Sequence, residues 1–207
     1  MKQTGNLIVV SGPSGTGKGT ICSALMEQCA TLAYSVSATT RAPRAGEVHG
    51  VNYWFTSKEE FQAMIEGGKL LEWAEVYGNY YGTPLERVQE MLRAGKDVLL
   101  EIDTQGAMLV KKKMPEGVFI FIMPPSMAEL EARIHKRGTD SAESIARRLG
   151  AAAEEIRRAK EYDYIVVNEI VGDAVADVVA IVRAERCSAS RRQETIRQVL
   201  EHKGECI

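Results

Sequence analysis

The segment Leu7–Ser11 running into Gly12-Pro13-Ser14-Gly15-Thr16-Gly17-Lys18-Gly19-Thr20 constrains this chain more than any other stretch. Leu-Ile-Val-Val-Ser carries no charge and is rich in β-branched side chains, so it reads as a strand buried on both faces. The glycines that follow let the backbone turn tightly and gather successive N–H groups around one point. A helix predicted over about 18–28 presents its N-terminal partial positive charge to the same point. The pattern G-x-x-x-x-G-K between strand and helix is therefore a cradle for phosphate oxygens, with Lys18 reaching the outer phosphates. The plainer reading of the same residues is a glycine-rich turn with an exposed lysine. The residue after Lys18 is Gly19, where the usual pattern has a Ser or Thr that ligates Mg²⁺, and Thr20 comes one place later.

Downstream, strand-like and helix-like patterns alternate. Ser57-Lys58-Glu59-Glu60 and Thr83-Pro84-Leu85-Glu86 are capping-box patterns that open helices. In the second, Thr83 is the predicted N-cap and Pro84 the first helical residue. The first of these helices ends near Gly67-Gly68, and Leu70–Val76 is extended. The stretch 97–103 contains the buried run Val98-Leu99-Leu100, followed by a helix over about 105–113 and a strand Val118–Met123 stopped by Pro124-Pro125. Ser126 with Glu129 caps the next helix, Gly138-Thr139-Asp140 breaks it, and a long helix covers about 142–160. A buried strand Tyr164–Val167 and a final helix from Gly172 or Asp173 toward the C-terminus complete the pattern. Apolar strands alternating with helices predict an α/β fold with a mostly parallel sheet covered on both faces. The stretch 34–82 is shorter in its elements, polar and turn-rich. It reads as an insertion with its own small sheet, including a strand over 51–55. A length of 207 residues suits one domain.

Lys plus Arg number 26 and Asp plus Glu 28, a net charge of −2, so no basic surface for nucleic acid is implied. Anion binding has to come from local clusters. No apolar run reaches the roughly 18 residues of a membrane span. Met1 to Asn6 lacks the basic start and apolar stretch of a secretory signal. Cys22, Cys29, Cys187 and Cys206 form no C-x-x-C pair, and His49, His135 and His202 lie far apart. Neither a disulfide framework nor a protein-built zinc site is expected from such spacing. Scattered reduced thiols fit a cytoplasmic protein without nucleic-acid or membrane partners.

A second candidate anion site surrounds Pro43. Arg41 and Arg44 flank it, and guanidinium forks match phosphate oxygens in pairs. Proline stiffens such a loop, so less entropy is lost on binding. Alone, the loop also reads as a solvated basic turn. Arg133 and Arg137 share a helix face and, with Arg148, flank the break at Gly138. Either an anion lies between them or Glu129 and Glu131 balance them as a solvated face. Glu72 on an alternating strand reads by itself as solvent-facing, and Tyr81 by itself reads equally as core packing.

Taken in order behind the glycine loop stand T-T-R-x-P-R-x-G-E over 39–47, L-E-W at 71–73, G-N-Y-Y-G-T at 78–83 and E-I-D at 101–103. Arg133, Arg137-Gly138-Thr139, Arg147-Arg148-Leu149, Tyr162-Asp163-Tyr164 and Asn168 follow. This series resembles the guanylate kinase family over nearly the whole chain. There are two departures. The loop's G-K-G-T is similar to that of adenylate kinases, which leaves direct Mg²⁺ ligation by a loop hydroxyl open. Glu101 stands where many relatives have Asp.

The resemblance implies a single P-loop NTPase domain of three layers. Its core would span 1–33, 83–125 and 160–207, with a GMP-binding insertion over 34–82 and a mobile lid over 126–159. It implies transfer of the γ-phosphate of ATP to GMP, and to dGMP, in purine recycling. Mg²⁺ would accompany ATP, held through the nucleotide phosphates, with Thr20 or Asp103 as candidate protein ligands. Residues 12–20 (Gly12, Pro13, Ser14, Gly15, Thr16, Gly17, Lys18, Gly19, Thr20) with Arg133, Arg137 and Asn168 would face ATP. Ser37, Arg41, Arg44, Tyr53 and Tyr81 would hold the GMP phosphate, and Glu72 and Thr83 would read guanine. Glu47, Glu101 and Asp103 would complete the GMP side. Lys18, Arg41, Arg133, Arg137 and Arg148 would form the catalytic set. Two other readings stay open. A non-enzymatic guanylate kinase-like module would keep the GMP side but lose the glycine loop. A kinase of another small phosphate ester would not need Glu72 and Thr83.

Overall fold

The computed structural model describes residues 4–76, 78–136 and 142–201. Five strands form one sheet in the order β2 (Leu32–Tyr34), β7 (Asp97–Glu101), β1 (Leu7–Ser11), β8 (Val118–Met123) and β9 (Tyr164–Val167). Every pairing in it is parallel. The central strands are apolar because both faces are covered. On one face Ile8, Val10, Leu99 and Ile120 pack against α1 (Lys18–Gln28) and α7 (Val171–Glu185). On the other, Val9, Val98, Leu100, Phe119 and Phe121 pack against α3 (Leu85–Arg93), α4 (Thr104–Lys113) and Tyr162. The result is three layers.

A second sheet holds β3 (Ala38–Thr39), β4 (Trp54–Phe55), β5 (Leu70–Val76) and β6 (Asn79–Pro84) in the order β4-β3-β6-β5. It falls mostly on the stretch 34–82 that stood out as polar and turn-rich, with β6 running on to Pro84. Helix α2 (Lys58–Glu66) opens with the expected capping box, Ser57 Oγ accepting from the Glu60 N–H and the Glu60 side chain reaching back to the Ser57 N–H. Its Phe61 is fully buried with Ala38 and Leu70 and stacks on Tyr80 at 5.5 Å. Lys113 Nζ donates to the Leu70 carbonyl at 2.7 Å and ties α4 to β5.

Several expectations need correction. The strand β2 has no counterpart in the sequence reading, since three residues with an exposed Tyr34 give too little apolar signal. The strand expected over 51–55 shrinks to β4, because 50–52 form a turn, with Gly50 at φ +80°. Strand β9 is half-buried, with Ile165 and Val167 exposed, because it is the sheet edge. Thr83 does not cap α3. The N-cap is Pro84, and the Thr83 hydroxyl is spent elsewhere. The long helix α6 (Ala142–Arg157) ends earlier than expected, and a 3₁₀ turn Ala159–Glu161 follows. The final helix is interrupted after α7 by a turn and resumes as α8 (Gln193–Glu201). The break expected at 138–140 lies outside the described residues. Among the described residues no helix is long and apolar enough to cross a membrane.

The strand order decides where a site can form. From β1 the chain moves to β2 on one side of it, returns through β7, and crosses to β8 on the other side. Connections that diverge in this way leave a crevice beyond the C-terminal ends of β1 and β7. The glycine loop and Glu101–Asp103 stand there. Because Leu99 is fully buried in the strand flanking β1, Leu99→Ala is expected to cost about 2–5 kcal/mol in urea unfolding. A loss below about 1 kcal/mol would contradict its place in the core.

Candidate active site

The glycine loop turns through three left-handed residues, Gly12, Gly15 and Gly17, with φ of +139°, +95° and +89°. Close packing adds to the demand for glycine. A Cβ on Gly12 would lie 2.4 Å from the Ile122 carbonyl, and one on Gly17 2.4 Å from Asn168 Nδ2. Thr16 is fully buried, its hydroxyl donating to the Pro13 carbonyl at 2.9 Å. Lys18 Nζ donates to the Gly12 and Pro13 carbonyls at 2.6 and 2.9 Å. Burial pushes its pKa below the ordinary lysine value, while Glu101, Glu155 and Asp103 oppose that fall. Glu101 stands beside Gly19, its Oε1 3.5 Å from where a Cβ would be, an ordinary contact distance. Thr20 is exposed on the first turn of α1.

Asn168 ties this loop to the neighbouring helix. It is 1% exposed, its Nδ2 donates to the Thr16 carbonyl at 2.7 Å, and its own carbonyl accepts from Arg133 Nη1 at 2.9 Å. Arg133 stands on α5 (Met127–Lys136) and also pairs with Glu129. Arg148 on α6 donates from Nη2 to Ser14 Oγ at 2.8 Å. Arg137 lies outside the described residues.

The Arg41 loop rests on the second sheet. The Arg41 N–H donates to Thr39 Oγ1, whose hydroxyl donates to the Tyr80 carbonyl. The Arg41 guanidinium lies 5.4 Å from the Tyr53 ring centre and contacts the Tyr81 hydroxyl. Tyr53 and Tyr81 meet edge to face at 6.0 Å. Ser37 immediately precedes β3 and is half-buried. Arg44 is exposed at the loop tip.

Glu72 is only 8% exposed, and Thr83 is fully buried. The Thr83 hydroxyl donates to Glu72 Oε1 at 2.6 Å. Gly106 in the first turn of α4 lets the other carboxylate oxygen approach, for a Cβ there would sit 3.2 Å from Glu72 Oε2. Burial raises the Glu72 pKa above the usual carboxylate value, with the Thr83 hydrogen bond opposing and Asp103 adding to the rise. Asp103 caps α4, its Oδ1 accepting from the Gly106 N–H at 2.7 Å. Asp103 is an electrostatic neighbour of both Lys18 and Glu72. Tyr34 likewise neighbours both Glu101 and Tyr53. The glycine loop and the second sheet therefore face one cleft.

Residues 4–185 match the family model described as guanylate kinase. A guanylate kinase of Halalkalibacterium halodurans is 56% identical over 200 residues, covering 97% of this chain and 98% of that protein. The chain belongs to the guanylate kinase family. A guanylate kinase of Desulfitobacterium hafniense is 56% identical over 188 residues, covering 91% of this chain and 94% of its own. The crystal structure of guanylate kinase from Anaplasma phagocytophilum superposes with a TM-score of 0.75 at 38% identity, covering 97% of this chain and 95% of that one. The fold is thus the P-loop NTPase fold of that family.

Within this guanylate kinase scaffold, sequence reasoning missed Glu155. It lies seven residues after Arg148 on α6, so both project from one helix face. Its half-buried carboxyl is pushed up by burial and drawn down by Lys18. That seven-residue spacing from an arginine on a cleft-facing helix was the available signal. Among the described residues no group of three His, Cys, Asp or Glu could hold a metal ion.

The Asn168 amide is a brace whose loss should be measurable. Asn168→Asp sets a carboxylate against the Thr16 carbonyl, and the expected cost is at least about 2 kcal/mol. Thermal unfolding checks this, and an unchanged midpoint would remove the brace.

Proposed function

We propose that this chain transfers the γ-phosphoryl group of ATP to the phosphate of GMP, giving ADP and GDP. The observation that carries the reading is the pairing of a phosphate loop with a guanine-selective acceptor pocket across one cleft. In that pocket Thr83 uses its only hydrogen as donor to Glu72. Both residues then offer lone pairs alone. Guanine's edge presents N1–H and an amine, so donors meet acceptors. Adenine presents an acceptor at N1 and would leave buried groups unpaired, at about 1–3 kcal/mol each.

Phosphoryl transfer asks the protein for positioning and charge compensation more than for a nucleophile. The glycine-loop N–H groups and the start of α1 receive the β- and γ-phosphates of ATP. Lys18 shifts a hydrogen from the loop carbonyls to a phosphate oxygen. Arg41 and Arg44, with Ser37, Tyr53 and Tyr81, hold the GMP phosphate. One of its oxygens attacks the γ-phosphorus in line. The bond to the β–γ bridging oxygen breaks, and ADP leaves with that electron pair. Arg133 and Arg148 offset charge on the transferring group, and Arg137 joins them in this reading. The segment 126–159 would close over the cleft and exclude water. The residues 1–33, 83–125 and 160–207 would serve as its core, and 34–82 as the acceptor arm.

Mg²⁺ fits as a partner of the nucleotide. Glu101 and Asp103 are hard oxygen donors beside the loop, too few for a protein cage, and Mg²⁺ prefers phosphates, waters and one or two carboxylates. Bound there it would neutralise phosphate charge. The Glu101 carboxylate stands beside Gly19, so a carboxylate is at hand as the protein contribution.

Two measurements test the reading. Lys18→Ala is expected to lower kcat by about 10²-fold or more with GMP binding nearly unchanged, checked by a coupled ADP assay and calorimetry. Retained turnover would sink the role given to Lys18. Glu72 must be ionised to accept from guanine, and its raised pKa keeps the proton to higher pH than an ordinary carboxylate. The kcat/KM for GMP should therefore fall as pH drops toward that raised value. Glu72→Gln should abolish this acid limb and lower the preference for GMP over AMP by about tenfold or more. An acid limb persisting in Glu72→Gln would assign it to another group.

A further inference from the structure

We propose that Glu47 is a positioning residue for the acceptor phosphate, holding Arg41 and the Arg44 backbone in receiving geometry without touching the phosphate itself. This rests on the reading of the Arg41 loop as the GMP phosphate site. Both carboxylate oxygens of Glu47 are engaged inside the loop. Oε1 accepts from Arg41 Nη2 at 2.8 Å, and Oε2 accepts from the Arg44 N–H at 2.7 Å. The Glu47 N–H returns a bond to the Arg44 carbonyl at 3.0 Å. Gly46, at φ +87°, provides the reversal that brings Glu47 back over the arginines.

A carboxylate placed directly on a phosphate dianion would repel it. Here its charge is turned onto a guanidinium and a backbone N–H, so its influence runs through Arg41. A guanidinium has five N–H donors. Arg41 gives one to Glu47 and one, from Nη1, to the Ala42 carbonyl at 2.7 Å. Those two bonds, with the Tyr53 and Phe55 rings at 5.4 and 5.8 Å, fix the plane of the fork. The Tyr81 hydroxyl takes a further share of the fork, and the donors left over are the ones that would meet phosphate oxygens. Neither partner is freely solvated, with side-chain exposures of 16% for Arg41 and 18% for Glu47, so the pair is screened less than an open surface bridge. Arg41 and the Arg44 N–H also hold the Glu47 carboxyl below the usual range, so it stays ionised at working pH.

The test is a double-mutant cycle on the full chain, using Glu47→Ala, Arg41→Ala and the pair, with steady-state kinetics in GMP and in ATP. Glu47→Ala is expected to lower kcat/KM for GMP by about tenfold and leave the KM for ATP within about twofold. In the Arg41→Ala background the same change should cost less than about twofold. Calorimetric binding of guanosine, which lacks the phosphate, should be unchanged in Glu47→Ala. Glu47→Gln, which keeps one acceptor, should recover part of the loss. A full tenfold cost in the Arg41→Ala background would make Glu47 a direct ligand and overturn the proposal. Loss of guanosine binding, or a rise in both KM values, would make Glu47 a general structural residue and overturn it as well. An unchanged kcat/KM for GMP would also overturn it. If the unaltered protein failed to phosphorylate GMP, the proposed function itself would fall. An active parent with additive mutants removes only the role of Glu47.

Discussion

The contact between the Asn168 amide and the Thr16 carbonyl is the one on which the site's geometry turns. A phosphate cradle needs its N–H groups to converge, so its carbonyls have to point away into the protein. Such carbonyls require buried donors. Asn168 supplies one to Thr16, and the Thr16 hydroxyl and Lys18 supply others to Pro13 and Gly12. The position of Asn168 one residue beyond β9 makes the cradle depend on the register of β9 against β8. The Asn168 N–H bond to the Met123 carbonyl pins that register. Gly17 is required by the same contact, because any side chain there would occupy the amide's place. Arg133 hangs from the Asn168 carbonyl, so the first helix over the cleft is referenced to the same residue.

Charge is distributed around the cleft with a similar economy. Lys18 sits among Glu101, Asp103 and Glu155, carboxylates carried by β7, the start of α4 and α6. Their attraction counters a burial that would otherwise favour the neutral amine. Asp103 influences Lys18 and Glu72 together, so the glycine loop and the Glu72–Thr83 pair share one electrostatic neighbour.

Much of this was legible in the chain itself. The strand–glycine loop–helix unit reads directly because the strand is apolar and the glycines have no other use. Strands β1, β8 and β9 and the start of α1 fall where the pattern puts them, and the capping box at Ser57 forms as written. What escaped reading depends on tertiary neighbours. Strand β2 is three residues long and becomes a strand only by pairing with β7. Thr83 has the local look of a helix cap, but the buried Glu72 claims its hydroxyl more strongly. Glu155 carries no motif, and its meaning comes from the placement of α6 over Lys18. The role of Asn168 was legible only as proximity to ATP. Its amide faces protein, and that fact belongs to the packing of β9 and not to the sequence around it.

The hydrogen-bonding sign of the cleft then follows from its construction. The proposed phosphate sites offer donors: glycine-loop N–H groups, Lys18 and Arg41. The proposed base pocket offers acceptors, because Thr83 has surrendered its only hydrogen to Glu72. A ligand that fits must carry acceptors at one end and donors at the other, and a purine monophosphate with a donor edge meets that demand. Selectivity needs no large pocket on this account. It needs one buried carboxylate whose burial cost one hydroxyl partly offsets, and Gly106 lets the start of α4, with the helix's partial positive charge, approach that carboxylate. A Cβ at Gly106 would stand 3.2 Å from Glu72 Oε2, so that carboxylate would have to give by a few tenths of an ångström. In the proposed reading, guanine preference would thus rest on a glycine as well as on an acid.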